Sequence, residues 1–91
     1  MARLPSNVAC YGSSPEFSER SIPNSLRTSH RTKAGTWARI VVLEGRLNYR
    51  VLEPYEIDIV LSPEVPGIVE PEVLHMVQPV GEVRFFLEFF H

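Results

Sequence analysis

From Trp37 onward, apolar and polar residues alternate with a period of two, and that alternation calls for strands rather than helices. A strand sends successive side chains to opposite faces, so one face can be buried while the other stays wet. In Arg46–Leu52, Leu47, Tyr49 and Val51 share one face, and Arg46, Asn48 and Arg50 share the other. Glu56–Leu61 sets Ile57, Ile59 and Leu61 against Glu56, Asp58 and Val60. His75–Val80 sets His75, Val77 and Pro79 against Met76, Gln78 and Val80. Val83–Phe90 sets Val83, Phe85, Leu87 and Phe89 against Arg84, Phe86, Glu88 and Phe90. Ala38–Glu44 is a mostly apolar run rich in β-branched residues.

Glycine and proline punctuate these runs. Glu44-Gly45 reads as the tight turn of a β-hairpin between Ala38–Glu44 and Arg46–Leu52. Glu53-Pro54 ends the second run, because proline lacks the N–H that a ladder needs. Ser62–Gly67, with two prolines and a glycine, is a loop, and Ile68–Val69 is a short strand broken at Pro71. Val80-Gly81-Glu82 reads as a turn, and Pro79 argues for a strand end or a sheet edge. Five longer runs after residue 37, with the short Ile68–Val69 beside them and turn signals at about 8–12 residues, predict an antiparallel sandwich or barrel. The last strand is aromatic on both faces. One face is expected in the core, the other at an interface or under the N-terminal arm, and a homodimer is the expected assembly.

Residues 1–36 form an irregular arm with three prolines, two glycines and many Ser and Thr. The first few residues are expected as a free tail. Asn7–Tyr11 and Ser25–Ser29 are expected as short strands. Val8, Tyr11, Phe17, Ile22 and Leu26 are apolar anchors that dock the arm on the body. With 91 residues in all, 1–91 is expected to be a single domain with a modest core.

The net charge of -2 argues against nucleic acid as a partner, since phosphate binding needs a basic face. The charges are uneven: residues 1–37 carry five Lys/Arg and two Glu, whereas residues 38–91 carry four Arg and nine Asp/Glu. The acidic excess is either a solvated rim or an entry path for cations. Cys10 is the sole cysteine, which excludes an intrachain disulfide and suits a reducing compartment. No run reaches the roughly 18–20 apolar residues of a membrane helix, and no signal-peptide order opens the chain. A cytoplasmic protein without a membrane partner is expected.

His30-Arg31-Thr32-Lys33-Ala34-Gly35-Thr36-Trp37-Ala38-Arg39-Ile40, then Val42-Leu43-Glu44-Gly45-Arg46-Leu47 and Tyr49, resembles the TehB/YeaR-like, tellurite-resistance-associated family of small cupin-like domains. Val69-Glu70-Pro71-Glu72-Val73 with His75, Arg84-Phe85-Phe86 with Glu88-Phe89, Leu4-Pro5 and Ile22-Pro23 fit as well, so the likeness spans nearly the whole chain. The resemblance implies an all-β, cupin-like antiparallel sandwich or barrel of jelly-roll type. In some members a methyltransferase domain follows. The sequence here holds no Gly-x-Gly-x-x-Gly loop, so methyltransferase activity is not expected to carry over.

Cupins often hold a metal with histidines and a carboxylate. Lys33, Gly35 and Ala38 occupy the places of the first-motif ligands before Gly45, while Pro71 and His75 match the second motif. A reduced site of His30, His75 and Glu70 or Glu72 would suit one divalent transition metal, Zn, Fe or Mn. The alternative is two unrelated histidines. Glu70 and Glu72 are either a general acid/base pair or solvated charges beside a turn. His30, Arg31 and Lys33 form a basic cluster that either binds a small molecule or oxyanion or is simply a charged surface turn. Trp37 either lines a pocket or packs in the core. Cys10 is either a reactive thiol or, the preferred reading, buried and inert. Three functions follow: a stress-related module binding a small ligand, oxyanion or metal in the barrel; a metal-dependent cupin enzyme using His30, His75 and a Glu; or a dimerising structural domain.

Overall fold

Two 17-residue strands, β4 (Trp37–Glu53) and β7 (Leu74–Phe90), run antiparallel from end to end and carry everything else. The computed structural model describes residues 3–91, so the start of the tail expected over the first few residues lies outside it. β1 (Cys10–Ser13), β2 (Phe17–Ser18) and β3 (His30–Arg31) pair with the far edge of β7. On the other side of the long pair, β5 (Ile57–Leu61) and β6 (Gly67–Val69) pair with β4. Every pairing is antiparallel, giving one seven-stranded sheet. The described chain measures 34 × 25 × 23 Å, too thick for a single layer, so the sheet bends over and faces itself.

The bend originates where two hairpin turns were expected. Neither Gly45 nor Gly81 reverses the chain. Gly45 (φ 81°) pairs with Val83 and Arg46 with Val80, so Gly81 (φ 73°) and Glu82 bulge out of β7. Leu43 is similarly extra between Val42 and Glu44. A positive-φ glycine serves a bulge as well as a turn, so the local signal is the same. Each long strand therefore joins two of the expected runs, and with β5 and β6 four strands follow the arm. The bulges also switch the inward phase of β4, from Ala38, Ile40 and Val42 to Leu47, Tyr49 and Val51.

The faces read from the alternation hold. Leu47, Tyr49, Val51, Leu61, Val77, Val83, Phe85 and Leu87 are buried in one cluster. Pro79 lies opposite Leu47, where only one edge of β7 carries a strand among the described residues, the setting in which a sheet tolerates proline. The outward aromatic face, expected at an interface or beneath the arm, is partly covered from within the sheet. Phe90 is buried, with the Arg39 guanidinium 5.2 Å from its ring centre and Glu88 holding Arg39 at 2.8 Å.

The arm docks through Ile22, which is buried, and through Phe17 and Leu26. Ser25–Ser29 is not a strand: Asn24–Arg27 forms one helical turn, α1. The Pro23 carbonyl accepts from the N–H groups of Leu26 and Arg27, and the Thr28 N–H and hydroxyl both donate to the Asn24 carbonyl. The expected strand at Asn7–Tyr11 falls slightly later, at Cys10–Ser13, with Tyr11 bulged out between the paired Cys10 and Gly12.

Candidate functional site

A cavity of about 320 Å³ opens between the arm and the inward face of the long strand pair. Alternation supplies its apolar wall: Ile40 from β4, and Val77, Phe85, Leu87 and Phe89 from β7. The arm supplies Leu26 and Tyr11. Its polar end comes from β3 and the turn after it, with His30, Arg31, Thr32, Lys33 and Thr36, facing His75 of β7.

The two expected histidines do meet. His30 pairs with His75 across β3 and β7, which sets the rings 4.3 Å apart between centres. His75 Nδ1 lies 3.1 Å from the Val73 carbonyl and 3.5 Å from the Thr32 hydroxyl. A carbonyl only accepts, so Nδ1 carries the proton and donates to Val73, which leaves Nε2 with its lone pair. His75 is 7% exposed, and burial pushes its pKa below the ordinary imidazole value. The Val73 bond opposes that shift, and the neighbouring His30 adds to it. Behind it stands the buried Tyr49, whose phenol burial pushes upward, with a smaller contribution from the Glu70 charge.

The depressed value makes a pH prediction. The unfolded chain takes up the His75 proton at higher pH than the folded one. Neutral His75 therefore contributes its stability fully above the ordinary value of 6.5, and that contribution drains away as pH falls through the lower folded value. NMR titration of the imidazole should show a midpoint below 6.5, and His75→Gln should flatten the stability slope in that window. A midpoint at or above the ordinary value would contradict this burial argument.

The carboxylates expected beside the histidines are elsewhere. Glu70 and Glu72 line a second, open pocket with Arg31, Glu53 and Tyr55, and neither borders the cavity. Glu70 accepts from the Tyr55 hydroxyl, and Glu72 sits in the turn before β7 at φ 64°. Among the described residues, no three His, Cys, Asp or Glu side chains group closely enough to hold a metal, so His30 and His75 lack the carboxylate the expected site requires. The Arg31 guanidinium pairs with Glu53 and donates to the Glu72 carbonyl at 3.2 Å. Lys33 makes no ion pair among the described residues. Trp37 neither lines the cavity nor joins the core cluster: it is half-buried at the start of β4, opposite Phe90. Cys10, expected buried, is exposed.

Phe85, Leu87, Phe89, Leu26 and Tyr11 were not legible as site residues. The alternation marks the three β7 residues as facing inward, but it does not say that space remains in front of them.

A family model described as a TehB-like domain matches residues 12–87. Two proteins named probable S-adenosyl-L-methionine-dependent methyltransferase TehB, from two strains of Haemophilus influenzae, are 29% and 27% identical over 84 residues. Each alignment covers 87% of this chain but only 29% of TehB, so the chain spans less than a third of those relatives. The crystal structure of TehB from Haemophilus influenzae superposes with a TM-score of 0.85 at 28% identity, over 93% of this chain and 32% of that one. A crystal structure of a protein from E. coli strain K12 superposes with a TM-score of 0.89 over 100% of this chain and 97% of that one, at 20% identity, a likeness of fold alone. With most of its length matched by the family model and by the corresponding part of TehB, the chain belongs to the TehB-like domain family.

Proposed function

We propose that this chain is a binding module that takes a small molecule into the cavity beside His30 and His75, in a cupin-like, jelly-roll arrangement. One observation carries the reading: an apolar cavity of about 320 Å³ ends in a cluster of polar side chains drawn from two separate segments. Cavities of this size, mostly apolar with a few convergent polar groups, are the usual form of small-molecule sites. Methyl transfer belongs to the name of the much longer TehB relatives, and the part proposed for this domain is recognition. The metal-enzyme alternative lacks its carboxylate, because Glu70 and Glu72 border the other pocket.

The test uses a neutral probe, 3-phenylpropan-1-ol, followed by amide shift changes in NMR. Changes should centre on Ile40, Val77, Phe85 and Leu87. Thr36→Trp, which places a large ring at the cavity wall, should weaken binding at least about tenfold, the loss expected when a filled apolar pocket gives up roughly one good contact group. Shift changes confined to the outer faces, or unchanged binding in Thr36→Trp, would remove the cavity as the site.

A further inference from the structure

The charges around the cavity say more about the ligand than its volume does. Three cationic or potentially cationic side chains of the arm border it, and no carboxylate does. Arg31 is already matched by Glu53, so its charge is largely spent. His75 is held as the neutral imidazole by burial. Lys33 is the cation with no ion-pair partner among the described residues. Leaving the titratable His30 aside, the uncompensated permanent charge at the polar end is therefore about one.

The rest of the wall is hydrocarbon and aromatic. Leu26, Ile40, Leu87, Phe85 and Phe89 offer nothing to replace the hydration shell of a bare inorganic oxyanion. An engineered cavity of roughly 150 Å³ holds a benzene ring, so a cavity about twice that size suits a ligand of about a dozen non-hydrogen atoms. Phenylalanine rings favour an aromatic body, which packs on them edge-on or offset. Beyond Lys33, the Thr32 hydroxyl is the donor the polar end offers a compact head group, while the His75 Nε2 lone pair only accepts and gives a carboxylate no bond.

Resting on the binding role proposed above, we infer that the cavity selects an aryl-substituted monocarboxylate: aromatic body against Phe85 and Phe89, carboxylate beside Lys33 and Thr32. A dianion would bring more charge than Lys33 can match. A neutral molecule of the same shape would gain nothing from the ammonium.

Three probes of one shape test this by calorimetry or NMR titration: 3-phenylpropionate, 3-phenylpropanamide and 3-phenylpropan-1-ol. The carboxylate should bind at least about tenfold tighter than the amide or the alcohol, the preference of one charge-assisted contact. Raising the salt should shrink that preference. Lys33→Met, on an exposed turn, should reduce the carboxylate-to-alcohol affinity ratio about tenfold. Equal binding of all three probes would overturn the carboxylate assignment while leaving the cavity as a binding site. A ratio unmoved in Lys33→Met would overturn it as well. Failure of every probe, the alcohol included, would overturn the binding role itself.

Discussion

Gly45→Ala should cost roughly 3 kcal/mol or more, the range reserved for substitutions that strike a fixed backbone. A Cβ built on Gly45 lies 2.0 Å from the Glu82 carbonyl oxygen and 3.0 Å from the Val83 Cα. Both are backbone atoms of the opposite long strand, so no side chain can rotate away to relieve the clash. The φ of 81° adds a conformational penalty that glycine alone escapes. Gly81 is the internal control: its φ is 73°, but a Cβ there meets nothing within 4 Å. Gly81→Ala should therefore show only the conformational cost, about 1 kcal/mol. Urea midpoints of the two variants separate the effects. Equal midpoints would mean that the strands do not approach closely at the bulge. A small domain stands only about 5–15 kcal/mol from unfolding, so the Gly45 variant should lose a large part of that margin.

Phe85→Ala should cost about 3–5 kcal/mol, toward the upper end, because its void joins space that already exists. Phe85 is fully buried, opposite Val42 on β4 and Phe17 on β2, with the Phe17 ring 5.7 Å away at 57°. It also borders the cavity. The loss of dispersion contacts therefore falls on both the core and the cavity wall. Phe86→Ala, one residue on and half-buried on the outer face, should cost much less. Similar denaturation midpoints for the two variants would show that the assignment of inward and outward faces on β7 is mistaken.

The faces of the strands were legible because alternation is a local property. Phe85 and Phe86 differ by one position, and the period alone decides which is inside. Strand ends were less legible. Gly45 and Gly81 each announce a positive φ, yet whether the chain reverses or merely bulges depends on a partner strand more than thirty residues away. α1 was misread because Ser25–Ser29 has no period long enough to distinguish one helical turn from a strand. The meeting of His30 and His75 was anticipated. Its cause, a pairing of β3 with β7 only two residues long, leaves no pattern of its own. Glu70 and Glu72 were misplaced because a turn at Pro71-Glu72 intervenes before His75, and a positive φ at a glutamate has no sequence signature. The cavity itself depends on how far apart the two layers stand, which no one-dimensional pattern encodes.

The strand pairings of the arm with β7 are brief, four residues at β1 and two each at β2 and β3, joined by bonds such as Ser14–Leu87 and Thr32–Val73, while the cavity the arm roofs is floored by the 17-residue pair. Short pairings open far more often than long ones. Access to the interior is therefore expected to need local opening of the arm rather than global unfolding. A guest that fills the space should in turn slow hydrogen exchange in the roof far more than in the floor.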